Sequence, residues 1–249
     1  MSHLLRQQIE KITPLSDGEF DYILSHFKPK KFKKHQFLIQ EGNEVPNDFF
    51  VLEGCVKAYH VSNDGKEHIL QFGLQDWWIC DFNAYFNQTK ATLNVDCIED
   101  TEVLCLSLYH REKLCSEMHK IEHFFRRKSN AGYVALQQRI LSMLNNNPQE
   151  RYLQLLELNP ILFQKVPKKL IASYLGVSRE TLSRFGSCQK SDLRHIKIVT
   201  FLLAYKLLLA ELCTLNFTLI IYEKDTHFKR DGHHFIRRRF TFRFCKCTN

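Results

Sequence analysis

The densest chemical signal in the chain lies between Val166 and Arg184, in the run VPKKLIASYLGVSRETLSR. Ser178, Arg179, Glu180, Thr181, Ser183 and Arg184 form a polar cluster interrupted only by Leu182. An arginine gives two parallel hydrogen bonds to guanine O6 and N7, a glutamate accepts from cytosine N4, and hydroxyls serve either a base or a phosphate. Such side chains on the first turns of a helix suit entry into the major groove of double-stranded DNA. Lys168 and Lys169, upstream, are placed to meet the phosphate backbone from a preceding helix.

Two short helices about a tight turn are needed to hold that cluster. Pro167 suits a first helical position, where its missing N–H costs nothing. Leu170, Ile171, Ala172 and Leu175 make an apolar face, and Ala172 is small where two helices cross. Gly176 ends the first helix, because a left-handed residue is cheapest without a Cβ. Val177 plugs the core and Ser178 caps the second helix. Leu182 packs back at the matching offset. An ordinary helical hairpin with a charged outer face fits the same residues.

Upstream, the pattern changes twice. Leu4, Leu5, Gln8 and Ile9 share a helical face, Thr13–Asp17 offers a stop and a cap, and Phe20, Ile23, Leu24 and Phe27 resume at helical spacing. From about Lys30 to Leu108 the period is two, with turn signals at Glu41-Gly42-Asn43, Glu53-Gly54, Asn63-Asp64-Gly65 and Phe72-Gly73. Asn63-Asp64-Gly65 between alternating runs is a hairpin signal. Many short strands at this spacing predict an antiparallel roll or barrel. Residues 109–146 hold no proline and predict one long helix. Leu114, Met118, Ile121 and Phe125 run along it as a coiled-coil-like seam for a second copy, with packing of the long helix on its own β-roll as the other reading. Tyr133, Leu136, Ile140 and Leu144 continue an apolar stripe on a shifted register, Gly132 weakens the middle, and Asn145-Asn146-Asn147-Pro148 ends it.

A β-roll, a long helix, and then Ala172…Gly176-Val177-Ser178-Arg179-Glu180-Thr181-Leu182-Ser183-Arg184 resembles the Crp/Fnr family of bacterial transcription regulators, over roughly residues 10–185. The resemblance implies an α+β fold: a cyclic-nucleotide-binding-like antiparallel jelly roll, a long dimerisation helix and a C-terminal winged-helix or helix-turn-helix head. It implies a homodimer on a palindromic site with half-sites about one helical turn apart, and RNA polymerase as a further partner. It implies that Arg179, Glu180 and Arg184 read bases. The expected organisation is 1–108 for the N-terminal helices and roll, 109–147 for the dimer helix, 148–185 for the DNA head and 186–249 for an atypical tail.

The sensor half departs from the cyclic AMP pattern of that family. Cyclic AMP binders carry Gly-Glu at the start of a short helix, for the ribose, and then Arg-Ser/Thr-Ala, whose arginine neutralises the phosphate. The corresponding stretch, residues 74–92, has neither the Gly-Glu nor the arginine, and Lys90 is a point charge rather than a guanidinium fork. No cofactor is expected, and the effector stays unnamed. Trp77-Trp78-Ile79-Cys80-Asp81 resembles a Bacteroidetes-type subgroup. Trp77, Trp78, Asp81, Lys90 and Thr92 are the candidate effector-pocket residues, with core and strand-edge packing as the other reading of the two tryptophans.

The formal charge is +8, from 35 Lys+Arg and 27 Asp+Glu. Residues 1–184 carry a net of +1 and residues 185–249 a net of +7, so basicity alone argues nothing about the head. Met1–Glu10 is polar and the nine cysteines are sparse, which points to a reducing cytoplasm. Cys55, Cys80, Cys97, Cys105 and Cys115 lack metal or cluster spacing. No phosphate loop, Ser/His/Asp spacing or paired carboxylates argue for an enzyme. The basic run Lys28–Lys34 fits a solvated first strand. In the tail, the apolar stretch Ile198–Tyr222 contains Lys206, Glu211 and Asn216 and makes a poor membrane span. The alternation around Arg237-Arg238-Arg239 fits a strand whose arginines hold phosphate, and the Cys245, Cys247, His233 and His234 group lacks a second ligand pair of metal spacing. The abrupt change after Arg184 also fits out-of-frame sequence. Two other readings remain: a ligand-binding roll with a silent DNA head, and a regulator tethered through residues 198–222.

Overall fold

The computed structural model describes residues 3–185, together with the backbone of two strands nearer the C-terminus. The chain divides into two units, Met1–Ser187 and Cys188–Asn249.

In the first unit, α1 (His3–Glu10) and α2 (Asp17–Ser25) open the chain. A reciprocal cap starts α2: Ser16 Oγ accepts from the Glu19 amide, and Glu19 Oε2 accepts from the Ser16 amide at 2.8 Å. Eight strands follow. They are β1 (Lys28–Phe32), β2 (Phe37–Ile39), β3 (Asn47–Glu53), β4 (Cys55–Val61), β5 (Glu67–Leu74), β6 (Trp78–Ile79), β7 (Asn94–Cys97) and β8 (Thr101–Ser107), with α3 (Phe82–Asn87) between β6 and β7. They make two antiparallel four-stranded sheets, ordered β1-β8-β3-β6 and β2-β7-β4-β5. The hairpin expected at Asn63-Asp64-Gly65 joins β4 to β5, with Gly65 at φ 79°. Gly54, at φ 105°, turns β3 into β4 where a Cβ would lie 2.4 Å from Thr101 Oγ1.

Three apolar clusters follow from the two-residue period of the strands. The facing sides of the sheets enclose Phe49, Val51, Val56, Ile79, Tyr85 and Val95. The outer side of the β1-β8-β3-β6 sheet, through Phe50, Leu52, Leu104 and Leu106, packs on α1, α2 and the helices after the roll. The outer side of the β2-β7-β4-β5 sheet, through Tyr59, Ile69 and Phe72, packs on the C-terminal helices of the same unit.

The single helix expected over 109–146 is two: α4 (Leu108–Glu117) and α5 (His119–Asn145), broken at Met118, which is extended at φ −130° and ψ 99°. No proline or glycine marks the break. It lets Leu114 on α4 and Ile121, Phe124 and Phe125 on α5 all reach the same sheet. The expected dimer seam is thereby corrected. Leu114, Ile121 and Phe125 are buried in their own protomer and Met118 packs against that cluster, so none of the four is offered to a second copy.

Beyond Asn145 the chain forms α6 (Pro148–Leu158), α7 (Pro160–Lys165), α8 (Lys168–Leu175) and α9, helical from 179 to 185. Asn147 caps α6 reciprocally with Glu150, which explains why Asn146-Asn147-Pro148 ends one helix and starts another. No wing strand lies among residues 148–185. In the second unit, β9 (Phe217–Arg230) pairs antiparallel with β10 (His233–Lys246). Residues 217–222 belong to β9, so a spanning helix over the whole of 198–222 is not formed; residues 198–216 lie outside the described residues. His233, His234, Arg237-Arg238-Arg239 and Cys245 fall on β10, and Cys247 is not described. No helix among the described residues is long and apolar enough to cross a membrane.

Candidate nucleic-acid interface

The turn between α8 and α9 is built as its residues dictate. Gly176 stands at φ 68°, and its amide reaches back to the carbonyls of Ala172 and Ser173. The Val177 amide bonds the Ala172 carbonyl at 3.0 Å, which closes the left-handed helix end. Pro167 sits one position before the helix rather than at its first residue, and α8 begins at Lys168. Ile171, Ala172, Leu175 and Leu182 are buried together, so the two helices are fixed against each other.

Ser178 caps α9 through its hydroxyl, which accepts from the Thr181 amide at 3.1 Å and lies 3.1 Å from Thr181 Oγ1. That leaves Arg179, Glu180, Ser183 and Arg184 exposed around one shallow surface. Glu180 is held below the usual carboxylate range, by its own amide at the helix start, then by the Ser178 hydroxyl, with Arg179 and Arg184 nearby. It is therefore an acceptor at neutral pH, flanked by donors. Lys168 and Lys169 are exposed on the first turn of α8. The fold gathers Arg179, Glu180, Ser183 and Arg184 on one surface of α9, with Ser178 and Thr181 in its capping turn and Lys168 and Lys169 exposed on the preceding helix.

The head is bolted to the roll by residues that sequence reasoning missed. Arg139 on α5 donates to the Ile69 carbonyl of β5 at 3.0 Å and lies 3.6 Å over the Tyr174 ring of α8. Ser173 Oγ donates to the Glu67 carbonyl at 2.7 Å, and Lys165 pairs with Glu99 at 3.0 Å. Arg151 ties the Asn146 and Leu175 carbonyls. Beneath them Lys57, 2.5 Å from Glu67, lies over the Tyr59 ring and faces Asp96, which burial pushes above its usual range. An isolated arginine on a long helix carries no periodic signal, so nothing in the sequence marks Arg139.

The five candidate effector-pocket residues do not line one pocket. Trp78 packs among Phe27, Phe50 and Phe125, and its indole N–H donates to Gln8 at 2.6 Å. Trp77 instead packs against the cluster on the other sheet. Lys90 is exposed, and only Asp81 and Thr92 touch, at 3.0 Å. The tryptophans serve packing, as their aromatic area favours. No group of three or more metal-ligating side chains occurs among the described residues.

Comparison with known proteins agrees with this anatomy. Residues 29–118 match the cyclic nucleotide-binding domain family. The regulatory protein HlyX of Actinobacillus pleuropneumoniae is 25% identical over 190 residues, covering 70% of this chain and 76% of that protein. The fumarate and nitrate reduction regulatory protein of Vibrio cholerae is 25% identical over 196 residues, covering 74% and 78%. The structure of FixK2 from Bradyrhizobium japonicum superposes with a TM-score of 0.58 at 18% identity, over 67% of this chain and 85% of that one. The matched roll, the regulatory relatives along most of their length and the shared fold make this chain similar to regulators of the Crp/Fnr family.

Proposed function

We propose that this DNA-binding transcription regulator reads a specific site through α9, and that it does so as a homodimer. The observation that carries the reading is the exposed constellation of Arg179, Glu180, Ser183 and Arg184 behind the Gly176 and Ser178 turn. Arg179 and Arg184 supply forked donors for guanine, Glu180 an acceptor for cytosine, and Lys168 and Lys169 hold phosphate and set the register. Its site of action is the cytoplasm, and RNA polymerase is its further partner.

Dimerisation runs through the second half of α5. Tyr133, Leu136, Ile140 and Leu144 follow a 3, 4, 4 spacing and are exposed at 70%, 57%, 50% and 75%. A stripe of that length on the uncovered face of a helix costs hydration unless a like helix covers it. Two copies joined there present two α9 helices, as a palindromic site requires.

The test is selection of bound fragments from random duplex DNA by the purified chain, followed by footprinting. A recovered palindrome protected in two adjacent major grooves supports the reading. Fragments without a shared sequence, bound with equal affinity, defeat it.

A further inference from the structure

The matched domain implies an anionic ligand, since a cyclic nucleotide carries a phosphate. A buried phosphate needs several N–H and O–H donors and a cation to balance it. The residues of this roll do not fit such a group, because donors of that kind are already taken. Thr92 donates to Asp81 Oδ2 from its amide at 2.7 Å and from its hydroxyl at 3.0 Å, and the Leu93 amide donates to the same oxygen at 3.1 Å. Asp81 Oδ1 accepts the Ala84 amide at 3.1 Å. That last bond is ordinary capping of α3. The three bonds to Oδ2 come from a different segment and serve no cap.

The carboxylate at their centre is 1% exposed. Asp81 makes no ion pair among the described residues, and Lys90 points its charge at solvent. Below the carboxylate the interior is filled: Ile79, Ala84 and Tyr85 are fully buried, and the Tyr85 hydroxyl donates to the Leu106 carbonyl at 3.1 Å. A phosphate brought to Thr92 and Leu93 would therefore displace a carboxylate from its donors, and would stand beside it with no cation to neutralise either.

We propose that the Asp81 carboxylate is a built-in anion that occupies this donor cluster, and that it closes the roll to cyclic nucleotides and other phosphate-bearing ligands. The signal that regulates the protein then acts elsewhere than on this seat, or the roll serves as a scaffold. DNA reading through α9 is independent of the claim.

The experiment uses the full chain. Wild-type protein, Asp81→Ala and Asp81→Asn are titrated with cyclic AMP and cyclic GMP, and melted in inorganic phosphate against chloride at matched ionic strength. Wild type is expected to bind neither nucleotide at millimolar concentration and to melt alike in both salts. Asp81→Ala, with the Thr92 and Leu93 donors open, melts lower in chloride and is raised saturably by phosphate, with an apparent affinity at least roughly tenfold above that of wild type. Asp81→Asn keeps an oxygen in the seat and is expected not to respond. Should Asp81→Ala fail to accumulate folded, its refolding yield in phosphate against chloride gives the same comparison. Saturable binding of either nucleotide by wild type overturns the proposal. So does an Asp81→Ala protein indifferent to phosphate in both measurements.

Discussion

Replacing Arg179 with alanine separates reading from folding. The residue stands at the first position of α9, its side chain is exposed, and no hydrogen bond or ion pair is recorded for it among the described residues. Its loss therefore changes stability by no more than about 0.5 kcal/mol, as for an unremarkable surface site. The DNA side is different. One bidentate arginine–guanine contact is worth about 1–3 kcal/mol of discrimination. A two-fold complex loses it at both half-sites, about 2–6 kcal/mol in all, which is ~30-fold to ~20,000-fold in affinity. The assay is fluorescence anisotropy with the selected palindrome and with variants changed symmetrically at each position, at fixed salt, alongside a thermal melt. The expected outcome is an unchanged melt, weakened binding, and indifference to the base at one position of each half-site. Equal affinity and an unaltered preference profile would refute the reasoning about α9.

The other expectations are narrower. Lys168→Ala and Lys169→Ala should each weaken binding alike on all sequences and lower the salt slope by about 1 per subunit, read from affinity across a potassium chloride series. Leu136→Glu should leave the melt in place and shift sedimentation from dimer to monomer, whereas Ile121→Glu, buried in the protomer, should unfold the roll; the reverse pattern would restore the seam at Ile121. Glu19 is held at about 2, against a usual 4.5, first by Lys120 and then by the Ser16 amide. A depressed carboxyl adds stability that is present above pH 4.5 and is lost as pH falls through about 2. Glu19→Gln should accordingly flatten that part of the acid limb in pH-dependent melts.

Much of this anatomy is legible in residue order because it is local. Gly176, Ser178 and Asn147 act within a few residues, and their types alone dictate a left-handed end or a cap. The hairpin at Gly65 is equally local. What the order concealed depends on distance in sequence. Met118 breaks a helix with no breaker, since Leu114 and Phe124 gain more by both facing one sheet than a straight helix allows. The seam at Leu114, Met118, Ile121 and Phe125 has the right period for a partner helix, yet that period cannot say whether the partner is another chain or the roll beside it. Trp77 and Trp78 are neighbours in order and go to opposite sheets. Of the five residues expected at an effector pocket, Asp81 and Thr92 do meet, but in a hydrogen bond to each other.

The cluster joining Tyr59, Ile69 and Phe72 to Tyr152, Ile171 and Leu182 has a further consequence. Helices α8 and α9 own only half of the oil drop they sit in. A fragment cut free at Pro148 would bare that half to water, strand Ser173 and Tyr174 without the Glu67 and Arg139 they lean on, and forfeit cooperative melting. Helices α6–α9 and the roll therefore rise and fall as one thermodynamic body, and any tilt of the β4–β5 hairpin is inherited by the orientation of α9.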